Sequence, residues 1–177
     1  MGNLVSDAML ERVADQGVTI AIANSGGLRA SIDAGDVTMG EVLTVLPFQN
    51  TLSTFQVSGE TVVAALENGV SQMEEGAGRF PQVAGMTFSV DAAAEPGSRI
   101  SDVMVDEGSG YVPIDPAKVY GVVSNNFVRK GGARADGDAR LGIDHLDHGR
   151  ALATPARHAE VVGGLLVGIG YDWVDVI

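Results

Sequence analysis

Cysteine is absent from this chain of 177 residues, which removes disulfide cross-links, thiolate nucleophiles and thiolate-ligated zinc from consideration. The redox compartment is therefore not legible. Basic residues are few, 11 Lys and Arg against 23 Asp and Glu, for a formal charge of -12. Nucleic-acid binding draws most of its affinity from cations that neutralise phosphates, so no nucleic-acid partner is expected. A small phosphorylated ligand is compatible with that charge, because one Arg and oriented backbone amides can hold it inside an acidic protein. No uninterrupted apolar run approaches the roughly 20 residues of a membrane span, so no membrane partner is expected. The first nine residues, Met1 to Met9, also lack the basic start and apolar middle of a signal peptide. Aromatic residues are scarce, with five Phe, three Tyr and one Trp.

What is present reads as one domain with a core of its own. Asn3 is placed to cap a first helix through about Arg12, with Leu4, Ala8 and Met9 on one side. Residues 18–23 form an apolar, β-branched run without charge, the pattern of a strand buried on both faces. Thr38 and Glu41 have capping-box spacing ahead of Met39, Val42, Leu43 and Leu46, and the helix should stop at Pro47 and leave Phe48 in a loop. Residues 51–57 have strand composition, and the Ser58-Gly59 step leads into a helix with Val62, Val63, Leu66 and Val70 at helical spacing. Residues 82–90, 99–105 and 119–124 read as further strands, with a turn over 106–110. Glu74 and Glu75 beside Gly76 read as a charged helix end. Helices and strands interleave early and strands dominate later, which predicts an α+β single domain with a mixed β-sheet packed by helices.

Beyond about Arg129 the character changes. All three histidines, His145, His148 and His158, and five of the nine arginines lie there. Asp144, His145, Asp147 and His148 invite a metal-site reading, but a solvent-facing polar segment is the better one. No Ser-centred nucleophile elbow appears, and paired carboxylates alone do not make a glycosidase. No catalytic residue is expected in this chain.

The segment Asn24-Ser25-Gly26-Gly27-Leu28-Arg29 leaves the first strand directly, and Leu46-Pro47-Phe48 and Asn126-Phe127 stand in separate loops, the latter ahead of Gly131-Gly132. Glycine lets a backbone approach a ligand, Arg offers a planar donor fork, Asn both donates and accepts, and Phe offers a stacking face. Taken alone, the glycine loop fits neither the dinucleotide fingerprint nor the P-loop, and a tight turn is its simpler reading. For each Phe the simpler reading is ordinary core packing.

Six segments in order change that balance: residues 1–9, 22–30, 35–48, 78–85, 96–100 and 125–132. Together they make residues 1–132 resemble the C-terminal, substrate-binding domain of the 5′-nucleotidase and UDP-sugar hydrolase family. The resemblance implies a nucleotide- or nucleoside-recognising domain that works beside an N-terminal metallophosphoesterase domain carrying two divalent metal ions, in a periplasmic or secreted protein of nucleotide catabolism. It implies no cofactor or metal in this chain, which lacks the Gly-Asn-His motif of the metal half, and no hydrolysis by this chain alone. Met1-Gly2-Asn3-Leu4 resembles a stretch just after the family's interdomain linker, so a truncated frame or a single excised domain is expected. Phe48 and Phe127 resemble the pair that sandwiches the base. Asn24, Gly26, Gly27 and Arg29 resemble the loop in which Asn contacts the base, glycines admit the ligand and Arg reaches ribose or phosphate.

The resemblance fails after Gly132, where the family continues Gly-Asp-Gly-aromatic and uses that Asp on the ribose hydroxyls. This chain has Ala133-Arg134-Ala135-Asp136-Gly137-Asp138. Either a longer loop lets Asp136 or Asp138 substitute, or the reading frame shifts near Gly132 and residues 133–177 are a divergent, out-of-frame or poorly ordered tail. Translating all three frames downstream of Gly132 separates these accounts. Two other functional classes stay open: a stand-alone nucleoside-binding module, and a structural module such as the matching domain of a sulfur-oxidation relative.

Overall fold

The uncharged run that reads as a buried strand forms β1, Ile20–Asn24, with all five residues buried. Its two faces serve two cores. Ala21 and Ala23 join Val5, Ala8, Met9, Val13, Val45, Leu46, Leu52, Ala84 and Val123 on one side. Ile20 and Ile22 join Val57, Val62, Leu66, Met86, Val103, Val105, Tyr120 and Val122 on the other. Side chains alternate across a strand, so a strand between two cores has no polar face to show.

The computed structural model describes residues 1–132, whose remaining elements are arranged about β1. They are α1 (Gly2–Arg12), α2 (Met39–Val45), β2 (Leu52–Ser58), α3 (Gly59–Val70), β3 (Pro81–Ala84), β4 (Met86–Val90), β5 (Ile100–Asp106), β6 (Tyr111–Pro113), β7 (Val119–Asn125) and α4 (Asn126–Arg129). One sheet has the order β2-β7-β1-β3 and a second has the order β4-β5-β6. The first is mixed: β1 runs parallel to β7, whereas β3 and β2 pair antiparallel with β1 and β7. Helix α1 lies against β1, β3 and β7, and α3 lies against β2, β3 and β5. The expected α+β domain with a mixed sheet packed by helices is the fold observed.

Helix α2 starts as its sequence requires. Thr38 Oγ1 accepts from the Glu41 N–H at 3.3 Å, and Glu41 Oε2 accepts from the Thr38 N–H at 2.8 Å and from its hydroxyl at 2.7 Å. These bonds stabilise the ionised carboxylate and hold the Glu41 pKa below its ordinary value, the backbone N–H of Thr38 being the larger cause. Thr38→Ala should lower unfolding free energy by about 1 kcal/mol in urea titrations, because it removes the acceptor for an otherwise orphaned amide. Glu41→Gln should make stability less sensitive to acid as pH falls through the ordinary carboxylate range, since a lowered folded-state pKa contributes above that range and is lost below it.

Three local expectations are corrected. Asn3 does not cap α1; the helix begins at Gly2 behind Met1 with no side-chain cap. Leu4 is exposed, and Val5 takes the buried place beside Ala8 and Met9. Residues 82–90 are two strands, because Gly85 turns the chain at φ +71 and sends β3 and β4 into different sheets. A Cβ at Gly85 would lie 1.9 Å from the Thr19 carbonyl oxygen, so the position admits no larger residue. Strand β6 is an addition to the expected elements, standing between the turn over 106–110 and the strand from 119.

Glu74 is more than a charged helix end. It pairs with Arg99, which is only 6% exposed and whose Nε and Nη1 also donate to the carbonyls of Ala94 at 2.9 Å and Val70 at 2.8 Å. Glu67 completes the junction by accepting the N–H groups of Arg99 at 3.2 Å and Ile100 at 2.7 Å. The tail reading over 133–177, the alternatives Asp136 and Asp138, and the Asp144 to His148 segment lie outside the described residues.

Candidate functional site

The two central strands β1 and β7 are parallel neighbours, so their carboxyl ends open on one edge of the sheet. Open sheets commonly bind ligands at the carboxyl ends of their strands. The antiparallel neighbours bring their own loops to the same edge. Asn24 pairs with Pro81, so residues 77–80 arrive there before β3 begins. Asn125 pairs with Leu52, so the loop after α2, which carries Phe48, arrives there before β2 begins. Thr51 and Asn126 lock these last two segments together: the Thr51 N–H donates to Asn126 Oδ1 at 3.0 Å, and the Asn126 N–H donates to the Thr51 carbonyl at 2.9 Å.

The four loops enclose a cavity of about 320 Å³ lined by Asn24, Gly26, Gly27, Phe48, Asn50, Ala77, Gly78, Arg79, Phe127 and Gly132. That volume falls in the range of small-molecule sites. Phe48 is 56% exposed and Phe127 45% exposed, so neither is core packing. Both rings stand at the cavity with solvent access.

Asn24 sits at the floor, 8% exposed. Its orientation is dictated by its neighbour. Asn125 Oδ1 accepts the Val128 N–H at 2.8 Å as the cap of α4, which turns Asn125 Nδ2 toward Asn24 Oδ1 at 2.9 Å. Asn24 therefore points Nδ2 the other way, toward the Gly78 carbonyl at 3.4 Å and the cavity. The same capping bond places α4, and with it Phe127.

The remaining expected residues divide. Gly27 lines the cavity, and a Cβ there would meet only ordinary contacts with the Asn24 side chain. Gly26 also lines it, but its missing side chain answers a protein contact: a Cβ would lie 3.0 Å from Gly78 Cα, and the Gly26 N–H donates to the Gly78 carbonyl at 2.7 Å. Arg29 is exposed and is not among the lining residues. Its Nη1 donates to the Gly26 carbonyl at 3.3 Å, and its guanidinium lies 5.9 Å from the centre of the Phe48 ring, so it braces that ring from outside the wall. Asn50, Ala77, Gly78, Arg79 and Gly132 were not read as site residues. Gly78 and Arg79 stand in the matching segment 78–85 and Gly132 in 125–132, which is the signal the sequence offers for them.

Gly132 leaves room for the Phe127 ring. A Cβ there would fall 2.4 Å from ring Cε2, inside any permitted contact. Gly132→Ala should swing the ring out of place and weaken ligand binding by up to about tenfold, part of one stacking face, with little change in Tm. Calorimetric titration beside a thermal melt checks both halves of that expectation.

Among the described residues, no three His, Cys, Asp or Glu side chains converge to hold a metal ion, and no helix is long and apolar enough to cross a membrane.

The sequence model of the family "5'-nucleotidase, C-terminal domain" matches residues 1–137. The trifunctional nucleotide phosphoesterase protein YfkN of Bacillus subtilis is 39% identical over 165 residues, covering 92% of this chain and 10% of that protein. The 5'-nucleotidase of Diplobatis ommata is 34% identical over 146 residues, covering 75% of this chain and 25% of that protein. Among solved structures, the 5'-nucleotidase precursor from Thermus thermophilus superposes with a TM-score of 0.73 at 48% identity, over 75% of this chain and 26% of that one. The chain thus spans about a quarter or less of these three relatives.

Proposed function

The chain belongs to the 5'-nucleotidase C-terminal domain family, and from that premise we propose that it recognises a nucleotide or nucleoside by clamping the base between Phe48 and Phe127. One observation carries the reading: two solvent-exposed phenylalanines from loops 79 positions apart line a single cavity of about 320 Å³ that has a polar floor at Asn24. Stacking tolerates different bases because each has a π face. Asn24 directs Nδ2 to the base edge, Gly27 lets the ligand approach the backbone, and Arg29, beside the Phe48 ring, reaches ribose or phosphate.

Hydrolysis belongs, on this reading, to an N-terminal metallophosphoesterase domain with two divalent metal ions. The described residues offer no donor set for such ions, and no chemical step is assigned to them. This chain's part is to bind, to orient and to strip water from the base. A periplasmic or secreted location in nucleotide catabolism follows the family resemblance. The structural and sulfur-oxidation readings are weaker, since the relatives described above are named for nucleotide chemistry.

Titration calorimetry of the full chain with AMP and with its nucleoside, run without metal and followed by phosphate assay, tests the proposal. Saturable heat from both ligands with no phosphate released is expected. Absence of binding by either ligand contradicts it.

A further inference from the structure

The polar groups around the cavity are unequally spoken for. Four acceptors on its wall already hold donors. Asn24 Oδ1 takes Asn125 Nδ2, the Gly26 carbonyl takes Arg29, the Ala77 carbonyl takes the Phe80 N–H, and the Gly78 carbonyl takes the Gly26 N–H. The donors are less committed. Asn24 Nδ2 has only the long 3.4 Å contact to Gly78, and the Arg79 guanidinium has only Ser71 Oγ, at 3.3 Å from Nη1. No carboxylate pairs with Arg79 among the described residues, although the side chain is partly buried. The Asn50 side chain makes no hydrogen bond among the described residues and is free to turn either end of its amide inward.

Asn24 and Arg79 share one wall. Strand pairing sets Asn24 against Pro81, and the Asn24 amide contacts Gly78, the residue before Arg79. A base held between the two rings therefore meets, on the wall of Asn24 and Arg79, an amide N–H donor and a guanidinium. Guanidinium groups pair with adjacent oxo and ring-nitrogen acceptors of a purine, whereas adenine offers an amino donor in place of the oxo group.

We infer that Arg79 is a specificity-determining ligand contact that makes this site favour oxo bases over their amino counterparts, hypoxanthine and guanine over adenine and uracil over cytosine. The inference rests on the base-clamping reading above and adds the ligand class. An amino group turned toward this wall sets donor against donor and leaves the guanidinium without the acceptor it would otherwise gain.

Inosine and adenosine differ at the 6-position, oxo with N1–H against amino with bare N1, and isolate the effect. In titrations of the full chain, inosine should bind about tenfold more tightly than adenosine. Arg79→Gln, with Arg79→Ala as a second variant, should abolish the preference by weakening inosine while leaving adenosine nearly unchanged. A loss of both ligands in equal proportion marks Arg79 as merely structural and overturns the inference. Equal affinities in the unaltered chain, or a preference that survives both variants, also overturn it while leaving the base clamp intact. If neither nucleoside binds, the clamp itself fails and the inference falls with it.

Discussion

Phe48→Ala and Phe127→Ala are each expected to weaken nucleoside binding by about tenfold or more, since one aromatic face contributes about 1 to 3 kcal/mol by alanine substitution. Each ring faces its own side of the base, so the double variant should lose about a hundredfold, close to the product of the single effects. Phe48→Leu and Phe127→Leu refine the test, because leucine keeps apolar area and lacks the π face. Both rings are well exposed, so Tm should barely move in any of these variants. Affinity and stability should therefore separate at these two positions. A core phenylalanine would behave in the opposite way, with truncation costing about 3 to 5 kcal/mol of folding free energy.

Arg99→Ala is the change expected to cost most in stability, about 3 kcal/mol and about 10 °C in Tm. The buried guanidinium ties the end of α3 at Val70 to the Ala94 turn, and its removal strands two carbonyls without their charged donor. Glu74 is largely exposed, so its ion pair with Arg99 adds little to that figure. Arg99→Lys should recover only part of the loss, because a compact ammonium cannot reach the same partners in one plane. The site should suffer too, for Glu74 precedes the 77–79 wall by only three residues. Hydrogen bonding from Arg99 lowers the Glu74 pKa, and that contribution is complete above the ordinary carboxylate range and fades as pH falls through the lowered value. Acid titration of stability should therefore be shallower in Glu74→Gln.

The features that were legible in the sequence are those whose causes are local. Strand β1 shows as an apolar run because both of its faces are buried, and α2 shows through the reciprocal Thr38 and Glu41 bonds. Phe48 shows because Pro47 ends the helix before it. Gly85 was hidden because apolar residues continue on both sides, and only the Thr19 carbonyl, 66 positions away, reveals why the chain must turn there. Arg99 looks like an ordinary surface charge until its partners, 25 and 29 positions away, are folded onto it. Arg79 is the same case at the site. Gly26 carries a subtler lesson, since the glycine that reads as room for a ligand is also room for Gly78. Arg29 carries another: a cation in a candidate ligand loop also stands beside the ring next to it.

Simultaneous contact of one base with both phenylalanines is the claim on which the rest stands, and intermolecular nuclear Overhauser effects in the nucleoside-bound full chain measure it most directly. The base protons should show cross-peaks to the ring protons of Phe48 and of Phe127, and each set should vanish in the matching alanine variant. Cross-peaks to one ring alone, or a bound base that touches neither, would contradict the account.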